Sequence, residues 1–132
     1  MPWGSPAAMV ASARFFSADQ ASPARARRWV SRVLAAWRVP ESRQSDLLLV
    51  VSELATNAVL HAKSDFLVVV RQAEHSLGVA VADNDATVPS PQSPSPERAS
   101  GRGMRIVQAL ARRWGVEPVP GDGKVVWAKL AY

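Results

Sequence analysis

Three groups of residues in this chain have the types and spacing that chemistry needs. Glu53, Asn57 and His61 recur at steps of four. On an α-helix each such step turns only ~40°, so the three share one side. Their neighbours from Ser52 to Ala62 are otherwise small or apolar. A carboxylate and a carboxamide set among them need partners, because burying them unpaired is costly in desolvation. One assignment is a site for a hydrated cation, in which the amide oxygen ligates Mg²⁺ and the carboxylate orients or deprotonates a hydroxyl. The other is a polar rim that simply meets water. Asp83 closes an apolar run in Val81-Ala82-Asp83-Asn84-Asp85. It either caps a turn or stands as a buried acceptor for the amino group of a base. Gly101-Arg102-Gly103 leads into an apolar-periodic segment. Glycines let a ligand approach the backbone, and a helix N-terminus presents free N–H groups at the positive end of its dipole. A flexible hinge is the alternative there. Neither a P-loop signature nor a Gly-x-Gly-x-x-Gly after a strand occurs, so those two nucleotide folds are excluded.

The elements that must position these residues are set by periodicity and breakers. Residues 1–13 read as a loose leader, and Arg14 to Ala18 as a short first strand. Ser22-Pro23 opens a helix, with Ser22 as cap and Pro23 in the first position, where a missing N–H does no harm. Ala26, Trp29, Val30, Val33, Leu34 and Trp37 give it one apolar stripe, and Val39-Pro40 ends it. A second helix is expected from about Glu41 to Ala62, with Leu47, Leu48, Val51, Leu54, Ala55, Ala58 and Val59 inward. Phe66–Val70 and Leu77–Ala82 read as two paired strands. Residues 86–100 carry four prolines and no apolar period, a length of loop that compact domains keep for function. Met104, Val107, Leu110, Ala111 and Trp114 mark a third helix with Gly115 as its stop. Val116–Val119 and Lys124–Leu130 flank a hairpin turn at Pro120-Gly121-Asp122-Gly123. Hairpins alternating with helices predict an α+β, two-layer sandwich, with helices on one face of a mixed, mostly antiparallel sheet.

Composition narrows the field. The chain has 132 residues, one domain's worth, with 48% hydrophobic and 20% charged residues, so a packed core is expected. It has no cysteine, which removes disulfides, thiolate nucleophiles and the common zinc sites. No run approaches the ~20 apolar residues of a membrane helix. No signal segment stands out at the N-terminus, so a cytoplasmic protein is expected. The net charge of +5 suits anionic partners, but the arginines of the first helix are the sole hint of nucleic acid, and direct binding is not expected.

In order along the chain, these segments resemble the ATP-binding domain of histidine kinases, type II topoisomerases and their relatives, the Bergerat or GHKL fold. The branch most like it is that of the stand-alone bacterial anti-sigma factor serine kinases. Residues 52–62 resemble its N box, 81–89 its G1 box, 101–116 its G2 box with the following helix, and 123–128 its closing strand. The resemblance spans residues 14–132 as one ATPase domain. It implies that Asn57 holds Mg²⁺ on the phosphates of ATP and that Glu53 is the catalytic base. It implies that Asp83 accepts from the adenine amino group, and that Gly101, Arg102, Gly103 and Met104 border the phosphates. Residues 86–103 would be the ATP lid, and His61 a packing or supporting residue. The implied partners are a sigma factor and a serine-bearing antagonist protein, with a homodimer as a further expectation. The rival is a non-catalytic binding module in which nucleotide is structural or absent. Two positions depart from the family pattern. Asn84-Asp85-Ala86 stands where a glycine is usual, and Val125 where a threonine that helps the aspartate is usual.

Overall fold

Pro23 does what its fixed φ suits it to do and starts the first helix, α1 (Ser22–Ala36). A computed structural model of the chain describes residues 8–62, 64–84, 99–119, 121 and 123–131. Ser22 is not the cap. The N-cap is Ala21, with no side-chain cap bond. Ser22 is buried, with its hydroxyl 3.3 Å from that of Ser17. The turn before the helix is closed instead by Asp19, whose carboxylate accepts from the Ala21 N–H at 2.7 Å. The far end of α1 is a two-bond lock. The N–H of Arg38 donates to Ala35 and that of Val39 to Leu34, each at 3.0 Å. This closing pattern requires a left-handed residue, and Arg38 supplies it with φ 59°.

The second helix, α2 (Glu41–Asn57), begins directly after Pro40. Leu47, Val50, Val51, Leu54 and Ala55 are its buried side. The helix expected to reach Ala62 does so in a different winding, since Ala58–Ala62 form a π-helical turn. A third helix, α3, runs Ala99–Leu110. In the helical layer α2 packs against both α1 and α3.

The strands are β1 (Ala8–Phe16), β2 (Phe66–Ala73), β3 (Ser76–Asp83), β4 (Arg113–Val119) and β5 (Gly123–Ala131), in the sheet order β1-β2-β3-β5-β4. Every pairing in this sheet is antiparallel, where a mixed sheet was expected. The reason is topological. β3 and β4 run the same way, but β5 lies between them, so they do not pair directly. Phe66, Val68 and Val70, then Leu77, Val79 and Val81, then Val126, Ala128 and Leu130 form the sheet's share of the core beneath the helices. The expected α+β sandwich is therefore the fold observed.

Two boundaries differ from the sequence reading. β1 begins at Ala8, so residues 8–13 of the expected leader are strand, paired with β2 from Ala73 to Val69. Four of the six are alanine or serine, which leaves too weak an apolar alternation to mark a strand, and the partner strand supplies the order. Trp114 and Gly115 are not the end of α3 but part of β4. Trp114 faces Ala128 across the ladder, and Gly115 faces Trp127. A Cβ on Gly115 would lie 2.7 Å from the Trp127 ring, so glycine is needed there for a side chain's passage and not as a helix stop. On that same face, away from the helices, Lys129 lies 5.8 Å from the Trp127 ring. Its pKa is held below the usual lysine value, first by burial and then by Arg71 and Arg113.

The strain at Arg38 gives a direct expectation. A left-handed conformation costs a non-glycine residue ~1–2 kcal/mol, partly offset by glycine's greater freedom when unfolded. Arg38→Gly should therefore raise stability by about 0.5–1 kcal/mol, read as a Tm gain of a few degrees. A lower Tm would mean that the Arg38 side chain contributes contacts outweighing its strain.

Candidate functional site

Helix α2 ends where its polar residues begin to matter. Glu53 lies one turn before Asn57, the last α-helical residue, and both are half-buried. The Asn57 carboxamide is oriented from one side. Its Nδ2 donates to the Met104 sulfur on α3 at 3.6 Å. Its Oδ1 is buried and has no hydrogen-bond partner. A carbonyl-type oxygen left so is expensive unless something meets it. Its hard, neutral oxygen is the kind of ligand Mg²⁺ or its hydration shell takes. The residues present thus fit the cation expected at Asn57.

His61 was expected on the same side as Glu53 and Asn57, as a packing or supporting residue. It lies in the π-helical turn and is exposed. The packing role expected for His61 is thereby corrected.

Asp83 ends β3 and is buried, with 4% of its side chain exposed. Its Oδ1 accepts from Lys124 Nζ at 3.1 Å, and Lys124 is 6% exposed. The two residues face each other in the β3–β5 register. The position opposite Asp83 is therefore Lys124. Val125, where a helper residue was expected, faces Ala82 and so belongs to the other side of the pleat. Sequence reasoning missed Lys124. The signal was present in the alternation Lys124, Val126, Ala128, Leu130, which puts a lysine on the core-facing side of a strand.

Gly123 holds the two strand ends together. Its φ is +90°, and a Cβ there would come to 2.1 Å from the Asp83 carbonyl oxygen and 2.3 Å from the Asn84 Cα. The N–H of Asn84 in turn donates to the Ser64 hydroxyl at 3.4 Å, tying the end of β3 to the segment after the π-turn.

Gly101, Arg102 and Gly103 lie inside α3, which starts at Ala99, rather than ahead of it. Met104 is fully buried in the core, with its sulfur turned to Asn57. Of the lid expected over 86–103, only residues 99–103 are described, and they are helix; the rest lies outside the described residues. Away from these groups, Arg14, Arg25, Arg28 and Arg32 line a hollow of about 120 Å³ with Phe16 and Trp29, between β1 and α1. Among the described residues no cluster of His, Cys, Asp or Glu could hold a metal ion by itself. No described helix is long and apolar enough to cross a membrane.

Residues 16–130 match the model of the histidine kinase-like ATPase domain family. No curated protein matches the chain. Among solved structures the fold is similar to that of the RsbU and RsbW domains of a Mycobacterium tuberculosis protein. The TM-score is 0.68 and the identity 18%, over 94% of this chain and 32% of that one. A histidine kinase domain from the blue-light activated histidine kinase of Erythrobacter litoralis is 27% identical over 70% of this chain and 46% of that one, with TM-score 0.49. The chain thus spans about a third of the first structure's length and under half of the second's.

The β3–β5 junction can be tested by a pair of glycine replacements. Gly121 also has a positive φ, +80°, but open space where a Cβ would go. Gly121→Ala should cost only the ~1–2 kcal/mol of a left-handed residue. Gly123→Ala adds a backbone clash that pushes Lys124 away from Asp83, and should cost about 3 kcal/mol or more in urea unfolding. Equal costs would show that strain alone, and not close approach, sets the glycine at 123.

Proposed function

The chain belongs to the histidine kinase-like ATPase domain family, and from that premise we propose that it is an ATP·Mg²⁺-binding regulator of the anti-sigma factor serine kinase type. In this reading it phosphorylates a serine on an antagonist protein, sequesters a sigma factor, or does both. The observation that carries it is the Asn57 carboxamide, with Oδ1 buried and unpartnered one helical turn beyond Glu53. The RsbW domain in the mycobacterial structure of similar fold supports the choice of branch.

Asn57 Oδ1 would hold Mg²⁺, directly or through its water. When bound, the cation neutralises phosphate charge. Glu53 would take the proton of the accepting serine hydroxyl as its oxygen bonds to the γ-phosphorus and the bond to the β-phosphate oxygen breaks. ADP and a phosphoserine leave. Phosphoryl transfer asks the protein mainly to position and to stabilise charge, so this small set suffices. Asp83 would accept from the adenine amino group. The run Asn84-Asp85-Ala86, where the family pattern has a glycine, favours a second reading, in which the domain binds its partner protein without turning over nucleotide.

Two measurements decide between them. ATP should raise the Tm with Mg²⁺ present and far less without it, since ligand at 100 times Kd adds ~2.7 kcal/mol by mass action. Unchanged melting in millimolar ATP·Mg²⁺ would leave the pure binding module standing. Glu53→Ala should keep ATP affinity within a few fold and abolish phosphotransfer, because a base acts in the transition state. Asn57→Ala should weaken both. Equal losses of affinity would make Glu53 a ligand or a structural residue.

A further inference from the structure

The buried pair at the mouth of β3 and β5 is more than the resemblance asks for. An aspartate alone would accept a base's amino group. Here a lysine faces it in register, almost as buried, at 3.1 Å. Stability is a weak reason for it. A buried ion pair is costly to desolvate, and well-packed apolar residues in its place are often neutral or better. The neighbours that alternate with Lys124 on β5 are Val126, Ala128 and Leu130, so an apolar side chain would suit the strand.

We propose that Lys124 is the second half of a base-reading pair. With a nucleotide bound, Asp83 accepts from the 6-amino group of adenine while the Lys124 ammonium donates to adenine N1. The inference rests on the proposed nucleotide binding and adds a specificity-determining residue to it. Adenine presents a donor and an acceptor side by side at these positions. Asp83 and Lys124 present the complement, an acceptor and a donor within one hydrogen-bond length. An ammonium carries three donors and a carboxylate about four acceptor sites, so each group is chemically able to serve more than one partner. The strand register fixes the pair rigidly. Gly123, with φ +90° and the Asp83 carbonyl against it, holds β5 at the end of β3. Lys124 thus takes, opposite Asp83, the supporting role that the family pattern had suggested for position 125.

The test is calorimetric titration of the whole protein, with Mg²⁺, by ATP, 1-deaza-ATP, which lacks the N1 acceptor, and ITP, whose base edge has donor and acceptor exchanged. The wild type should bind 1-deaza-ATP at least about tenfold more weakly than ATP, the usual cost of leaving a charged donor unmatched. ITP should also bind more weakly than ATP. In Lys124→Met the ratio between ATP and 1-deaza-ATP should fall towards one. The wild-type comparison needs no variant, so a poorly folding Lys124→Met does not remove the test. Equal binding of ATP and 1-deaza-ATP by the wild type would overturn the proposal while leaving nucleotide binding intact. Tighter ATP binding by Lys124→Met would also overturn it, showing that the lysine plugs the site. A preference for ITP would overturn it by reversing the sense of the pair. Absence of binding for all three nucleotides would overturn this proposal and the proposed function together.

Discussion

A carboxylate and an ammonium enclosed in an apolar sheet cannot be separated cheaply, and the arrangement of this molecule respects that. Asp83 and Lys124 meet because β3 and β5 pair directly, although β4 precedes β5 in the chain. That order requires α3 and β4 to be passed before β5 can fill the space between β3 and β4. The close approach at Gly123 then leaves little freedom at the junction. Register, strand order and one glycine are thus parts of a single constraint. A slip of one residue would carry Lys124 to the opposite face of the pleat and leave Asp83 buried without it.

Around this fixed point the polar groups of α2 have a defined place. The core holds α2 between its two helical neighbours, and Met104 gives the Asn57 amide a sulfur to donate to. The carboxamide oxygen is left turned away from protein donors. The family match covers residues 16–130, and the fold is similar to that of a structure containing an RsbW domain. The polar groups at the ends of α2 and β3 are few: one unpartnered carboxamide oxygen, one carboxylate a helical turn earlier, and one ion pair at a strand end.

Much of the architecture was legible because it depends on local rules. Pro23, the stripe from Ala26 to Trp37, and the apolar runs of β2 and β3 each specify their element by themselves. The parts that were not legible depend on partners. The alanine- and serine-rich segment from Ala8 to Ala13 becomes strand because β2 lies alongside it. Trp114 fits a helical period measured from Leu110, yet it pairs with Ala128 in the β4–β5 ladder and packs against the core from there. Asn57, Glu53 and Asp83 were singled out as candidates from residue type and spacing. Lys124 needed the register between two strands distant in sequence, and the exposure of His61 was not readable from its spacing.

That change of winding has a consequence for the length of the chain. The π-turn at Ala58–Ala62 absorbs one residue more than an α-helix would use over the same rise. The surplus sits between the Asn57 carboxamide and Ser64, whose hydroxyl meets the Asn84 backbone. A single-residue deletion after Ala58 would leave the buried side of α2 untouched, since Leu47, Val50, Val51, Leu54 and Ala55 all come earlier in the chain. The extra residue therefore acts as a spacer, decoupling the segment beyond Asn57 from the helical phase that sets Asn57 itself.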